Sequence, residues 1–86
     1  EDSFKNSEQW YRRQLGIAIK RAREAQGLSL RSLALMSNVD YKYLWRIEHG
    51  NANVTVNVLI KLGASLEKKV SEFFSFEADE EDYNRG

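Results

Sequence analysis

Two short stretches with helical spacing, residues 29–36 and 41–48, are separated by only four residues of the chain. Ser29 and Asp40 are good N-caps for the two helices that these stretches predict. Asn38 lies in the link, where the chain must turn, and asparagine tolerates the left-handed backbone better than most residues. This spacing is typical of a helix-turn-helix, although any small helical bundle also has short connections.

The remaining hydrophobic spacing is also helical, and no stretch alternates in the sustained way that a strand requires. A first helix, for which Gly27 is a natural stop, carries one apolar stripe made of Leu15, Ile19 and Ala22. Thr55 can cap a fourth helix, whose apolar stripe is predicted to consist of Val56, Leu59, Ile60 and Gly63. Residues 70–74 predict a fifth, short helix. The chain is therefore expected to be all-α, a compact bundle of five helices.

The third of these helices, residues 41–48, has two unlike faces on a helical wheel. The inward arc is mostly aliphatic and aromatic, and it consists of Asp40, Tyr43, Leu44 and Ile47. The outward arc mixes cations, hydrogen-bonding groups and aromatic rings, and it consists of Tyr41, Lys42, Trp45, Arg46 and His49. Such a face is either a solvated surface, with Trp45 packed on a neighbouring element or a dimer partner, or a face that contacts DNA.

On the DNA-binding interpretation, four side chains of this face are expected to contact bases. Lys42 and Arg46 are suited to the hydrogen-bond acceptors of guanine or to phosphate. Tyr41 and Trp45 are suited to a thymine methyl group or to the sugar. The predicted partner is therefore double-stranded DNA, approached through its major groove.

The charge is distributed unevenly along the chain. Thirteen basic and thirteen acidic residues give a formal net charge of zero, which taken alone disfavours a nucleic-acid partner. Residues 10–76, however, carry 11 basic and five acidic residues, a net charge of +6, whereas residues 1–9 carry −2 and residues 77–86 carry −4. We predict a basic DNA-binding domain between an acidic N-terminal extension and an acidic disordered tail. These ends are either simply solvated or compete with a polyanion for the basic face.

Several stretches between Leu15 and Phe74 match one known pattern without a gap. They are residues 15–19, 23–28, 33–34, 43–44, 46–48, 50, 53, 59–61 and 71–74. In these stretches the chain resembles the phage-repressor-like (Cro/C1, XRE) helix-turn-helix family, and residues 39–55 also resemble the restriction–modification controller proteins. The resemblance implies a lambda-repressor-like fold. It also implies a transcriptional regulator that binds a palindromic operator as a dimer, with helix 41–48 in the major groove.

The resemblance also implies roles for individual residues. Arg23 and Glu48 match a family pair that forms a structural salt bridge between the first and third helices. Phosphate contacts are expected at the start of the second helix and after the third, although cap and turn chemistry alone can explain several of them: Ser29, Arg31, His49, Asn51, Asn53 and Thr55. Leu30 replaces a glutamine that touches DNA in the family, and Tyr41 replaces a frequent arginine. The DNA sequence read by a relative therefore cannot be transferred to this chain.

The segment before the acidic tail is too apolar for a free chain end. Either Val70 and one of the neighbouring phenylalanines close the monomer core, or these side chains form a two-fold dimer interface. The residues expected at such an interface are Val70, Phe73, Phe74 and Phe76. A dimer would present two recognition helices about 34 Å apart, one turn of the DNA helix.

The composition excludes several other kinds of site. Without cysteine there is no thiol nucleophile and no thiolate metal site, and the single histidine excludes a multi-histidine metal site. No apolar run approaches the roughly 20 residues of a membrane span. We expect a cytoplasmic prokaryotic protein that is not an enzyme and needs no metal, cofactor or small-molecule ligand. The alternative is a protein-interaction module on the same fold, a coactivator-like bridging factor or an antitoxin, which Leu30, Trp45 and the acidic ends favour.

Overall fold

Four α-helices and one 3-10 helix occupy most of residues 7–76, the part of the chain that the computed structural model describes. They are α1 Glu8–Ala25, α2 Leu30–Ser37, α3 Tyr41–Glu48, α4 Val56–Leu66 and the 3-10 helix Val70–Phe74. No strand lies within these residues, which confirms the all-α prediction. The predicted count of five helices holds only if the 3-10 helix is included. The predicted acidic tail lies outside the described residues, as does most of the predicted acidic extension.

Each α-helix begins at a side-chain cap. Ser7, Ser29, Asp40 and Thr55 each accept a hydrogen bond from the backbone N–H three residues later. The three caps expected from the sequence are therefore confirmed. Asn38 ends α2 with φ of 58°, the left-handed conformation that the sequence led us to expect in the turn.

The last element, Val70–Phe74, is a 3-10 helix of five residues. Its i to i+3 bonding is typical of short helical segments. The Glu72 carboxylate accepts a hydrogen bond from the Lys69 N–H at 3.2 Å and so caps its start. Phe73 is only 1% exposed and lies in the core, with Val70 packed against it. The prediction that Phe73 lies at a dimer interface is wrong, because its side chain is fully buried within one protomer.

The core lies between all five elements. Its most deeply buried side chains are Ile19, Leu33, Leu44, Ile47, Leu62, Leu66 and Phe73. The face that α4 turns inward consists of Leu59, Leu62, Gly63 and Leu66. Val56 and Ile60, predicted to share the buried stripe, are 66% and 54% exposed, so that part of the prediction is wrong. The helix is rotated to bury Leu62 and Leu66, which leaves the two β-branched side chains in solvent.

Helices α1 and α3 cross at Gly16. A Cβ atom at this position would lie 2.7 Å from the carbonyl oxygen of Glu48 and closer still to that of Ile47. Both contacts are backbone atoms, so they cannot move aside as a flexible side chain would. The absence of a side chain at Gly16 therefore sets the distance between the two helices.

We predict that Gly16→Ala destabilises the fold by about 2 kcal/mol or more, because the added methyl group forces the two helices apart. Urea unfolding followed by circular dichroism measures the change. In a helix interior without such a contact, glycine to alanine stabilises by about 1 kcal/mol. A gain of that kind would contradict the proposed crossing.

Candidate nucleic-acid interface

Helix α3 is held against α1 by a buried ion pair. Arg23 Nε donates to Glu48 Oε2 at 2.8 Å, and Arg23 Nη2 donates to Glu48 Oε1 at 2.9 Å. The two side chains are only 11% and 3% exposed. The third nitrogen, Nη1, donates to the Leu28 carbonyl at 2.8 Å and ties the turn after α1 to the same pair. The structure thus brings together the two residues that the resemblance assigned to a salt bridge.

The hydrogen bond to Glu48 favours the charged form of Arg23. The side-chain hydrogen bond to Glu48 raises the pKa of Arg23 above its ordinary value, although burial acts in the opposite direction. The guanidinium therefore stays charged throughout the physiological pH range. A bidentate pair of planar groups also fixes orientation, because both N–H···O bonds must be satisfied at once.

With its inner face fixed, α3 turns the predicted outward arc to solvent. Leu44 and Ile47 are buried, whereas the side chains of the outward arc are all exposed: Tyr41, Lys42, Trp45, Arg46 and His49. Asp40, which the wheel placed on the inward arc, is exposed because its carboxylate caps α3, accepting from the Tyr43 N–H at 3.0 Å. The exposed face is thus rich in hydrogen-bond donors, and the capping Asp40 is the one carboxylate at its edge.

Aromatic rings on this face are held by local contacts. Trp45 is 43% exposed and stacks on His49, with ring centroids 3.7 Å apart and planes inclined by 17°. His49 Nδ1 lies 2.8 Å from the Trp45 carbonyl oxygen, which fixes the imidazole against the indole. At the other end of α3, the Arg31 guanidinium lies 4.7 Å from the centroid of the Tyr41 ring. This contact joins the start of α2 to the start of α3.

The polar residues expected to contact phosphate have structural partners of their own. The Ser29 hydroxyl caps α2 and donates to Ser32 Oγ at 2.9 Å, and Thr55 caps α4. Asn53 uses its side-chain oxygen to accept from Arg12 Nε at 2.9 Å, and its carbonyl accepts from the Tyr43 hydroxyl. Cap and turn chemistry therefore accounts for Ser29, Asn53 and Thr55.

A polar groove of about 380 Å³ runs between the first turns of α1 and the loop after α3. It is lined by Gln9, Arg12, Arg46, Gly50, Asn51, Ala52 and Asn53. Arg46 belongs both to this groove and to the exposed face of α3. Arg12 and Gln9 were missed by the sequence analysis, because Arg12 meets Asn53 across 41 positions and neither spacing nor the family resemblance reaches it.

Within residues 7–76, no group of three histidine, aspartate or glutamate side chains is arranged to hold a metal ion. No helix in the same range is long and apolar enough to cross a membrane.

Comparison with known proteins gives a consistent result. Residues 19–73, more than half of the chain, match the helix-turn-helix family HTH_3. The HTH-type transcriptional regulator SlrR of Bacillus subtilis is 38% identical over 64 residues, which cover 73% of this chain and 42% of SlrR. This chain thus spans less than half the length of that relative.

Two solved structures share the fold. The restriction-modification controller protein C.AhdI of Aeromonas hydrophila has a TM-score of 0.72 at 32% identity, covering 73% of this chain and 96% of C.AhdI. An HTH_3 family transcriptional regulator of Vibrio cholerae has a TM-score of 0.77 at 30% identity, covering 83% of this chain and 40% of that one. The resemblances that the sequence indicated, to the wider family and to the controller proteins, are confirmed.

We predict that Glu48→Ala destabilises the fold by about 3 kcal/mol, because it leaves the Arg23 guanidinium buried without its counter-ion. Arg23→Ala should cost a similar amount, and the double variant should lose less than the sum of the two. Urea unfolding of all four proteins gives the coupling energy. Lys68→Ala, which removes one partner of an exposed ion pair, is the control and should change stability by about 0.5 kcal/mol or less. Additive effects at Arg23 and Glu48 would contradict a coupled pair.

Proposed function

The chain belongs to the helix-turn-helix family that residues 19–73 match, and from this membership we propose that it is a DNA-binding transcriptional regulator. The observation that carries the proposal is the exposed face of α3, where cations and aromatic rings project from a helix whose inner face is locked to α1. Such a helix can enter a major groove without changing its own position. The net charge of +6 over residues 10–76 favours a polyanion as its partner.

The roles within α3 divide along its length. Residues near the start of a recognition helix contact base edges in this motif, so Tyr41 and Lys42 read bases, and Trp45, one turn after Tyr41 on the same face, continues their surface. Arg46 lies in the last turn and donates through Nη2 to the Asn51 carbonyl at 3.1 Å, which holds it towards the loop. Although the sequence analysis counted Arg46 among the base contacts, this position suits the phosphate backbone better.

Phosphate contacts around the base-reading helix come from both flanks. Arg31 lies over Tyr41 and adds a cation beside the start of α3, and His49 and Asn51 follow its end. Ser29 and Thr55 act by fixing helix N-termini, where backbone N–H groups favour an anion.

We infer that the regulator acts in the cytoplasm as a homodimer on a palindromic operator, without a cofactor or catalytic step. Phe74 is exposed and remains available to a two-fold interface, whereas Phe76 packs edge-on against Trp10 with ring centroids 5.7 Å apart. The acidic residues 77–86 would then lower non-specific affinity by competing with phosphate for the basic face.

Selection of bound duplexes from a random pool tests the function directly. We expect an enriched palindromic sequence, bound with an affinity that falls as salt rises, because bound phosphates displace counter-ions. Absence of both enrichment and salt-dependent binding would overturn the proposal and favour a protein-interaction module on the same fold.

We predict that Lys42→Ala weakens binding to the selected operator by about 1–3 kcal/mol per lost contact and relaxes the preference at one base position of each half-site. Titration of the duplex by fluorescence anisotropy measures both effects, on the operator and on variants of the affected base pair. Lys61→Ala is the control, since it removes the same charge from an exposed position on α4. Equal effects of the two variants, or an unchanged base preference, would remove Lys42 from the base-reading set.

A further inference from the structure

We propose that the polar groove between α1 and the loop after α3 is a seat for one backbone phosphate of DNA, held between Arg12 and Arg46. The inference rests on the proposed DNA-binding function. It adds a contact from the first turns of α1, which precede the residues 19–73 that match HTH_3.

Arg12 crosses from α1 to the loop. Its Nε donates to Asn53 Oδ1 at 2.9 Å, and this bond fixes the plane of the guanidinium group. One nitrogen, Nη2, donates to Glu8 Oε1 at 3.1 Å, and Nη1 has no partner within residues 7–76. The fork is therefore oriented by the loop while several of its N–H donors stay available. A planar guanidinium with free donors matches the geometry of a phosphate group.

Arg46 is anchored in a similar way on the other side of the groove. Its Nη2 donates to the Asn51 carbonyl at 3.1 Å, which leaves Nε and Nη1 without a partner in the described part of the chain. Each arginine is thus tied to one oxygen of the loop, and both line the same space of about 380 Å³. Two fixed cations around one polar space favour an anion over a neutral ligand.

The backbone makes room for this arrangement. Gly50 has a φ of +73°, and a Cβ atom there would lie 3.0 Å from the Arg13 Cα, so the loop lies directly against α1. That approach brings the first turns of α1 beside the end of the base-reading helix. Because Arg46 belongs to both surfaces, an anion in the groove lies next to the face that meets the bases. This position identifies the anion as a phosphate of the bound duplex.

Glu8 opposes the same anion. Its carboxylate is 87% exposed and occupies an Arg12 donor that a phosphate would use. Exposed pairs of this kind are worth little, so a phosphate can displace the carboxylate. The remaining negative charge still repels the phosphate at short range. Glu8 therefore lowers the affinity of the groove for DNA through Arg12.

The test measures affinity for the selected operator and for a random duplex by fluorescence anisotropy across a potassium chloride series. We expect Arg12→Ala to weaken both complexes by the same factor and to leave their ratio unchanged. Because the dimer carries two copies of Arg12, the salt slope should fall by about 1.8, so that wild type loses about 12-fold more affinity than the variant between about 50 and 200 mM salt. Arg12→Lys should keep the slope, because it keeps the charge.

Arg21→Ala is the matched control, since Arg21 is an exposed arginine that lies nine residues further along α1, on the opposite face of the helix. It should leave the slope as in wild type. Urea unfolding of each variant, followed by circular dichroism, establishes that the compared proteins are folded.

A second experiment measures a gain of affinity for DNA, because a misfolded variant would lose affinity and not gain it. Glu8→Gln should tighten both complexes several-fold at low salt, and the gain should disappear when Arg12 is also alanine. Glu24→Gln, an exposed glutamate near the other end of α1, should give no such coupled gain.

The outcomes separate the two proposals. If wild type shows no salt-dependent binding to any duplex, the proposed function fails, and the phosphate seat fails with it. If wild type binds but Arg12→Ala behaves as Arg21→Ala does, the phosphate seat alone is overturned. The same holds if the effect of Glu8→Gln is independent of Arg12.

Discussion

The contact between α1 and α3 is the constraint on which the rest of the structure depends. The backbones meet at Gly16, against the last residues of α3, and about two turns further along α1 the Arg23 guanidinium binds both oxygens of Glu48. Hydrophobic burial of Leu44 and Ile47 alone would hold α3 to the core without fixing its rotation, because burial is not directional. The close crossing sets the distance between the helices, and the bidentate pair sets their orientation.

An ion pair in the interior is stabilising only when its hydrogen bonds are complete. Desolvation of Arg23 and Glu48 costs several kcal/mol for each ion, and their mutual attraction offsets this only with good geometry. Here both carboxylate oxygens accept from the guanidinium, and the remaining Arg23 nitrogen donates to the Leu28 carbonyl. The same side chain thus connects α1, the turn before α2 and the end of α3. These hydrogen bonds therefore fix the position of the outward face of α3.

In the groove beside α3, hydrogen bonds likewise bring together residues from distant parts of the chain. Asn53 accepts from Arg12 across 41 positions, and the Asn51 carbonyl accepts from Arg46 at the end of α3. The loop therefore acts as a spacer that sets two guanidinium groups around one polar space. A donor-rich surface of this kind suits the phosphate backbone, while the aromatic and lysine side chains of α3 suit the bases.

Prediction from sequence succeeded where the signal is local. The caps at Ser29, Asp40 and Thr55 and the left-handed turn at Asn38 depend on single residue types beside helical spacing, and all four are present. The exposed arc of α3 followed from its 3.6-residue period. The pairing of Arg23 with Glu48 was implied by the family resemblance, since no local rule connects residues 25 positions apart.

Prediction from sequence was wrong where several arrangements have the same helical spacing or the same residue type. In α4, residues 56, 59, 60 and 63 have the same helical spacing as residues 59, 62, 63 and 66, and only packing against the core selects the second set. Phe73 and Phe74 are adjacent aromatic residues, and either could have closed the core. The side of the 3-10 helix that packs against the core carries Phe73, so Phe73 is buried and Phe74 is exposed.

The sequence by itself determined the helices, their caps and the exposed face of α3, because caps and helical periodicity act over a few residues. Only the tertiary structure decided which stripe of α4 is buried, which phenylalanine closes the core and that Arg12 and Arg46 line one groove. These outcomes depend on the distance and rotation between helices, which arise from contacts between residues far apart in the chain.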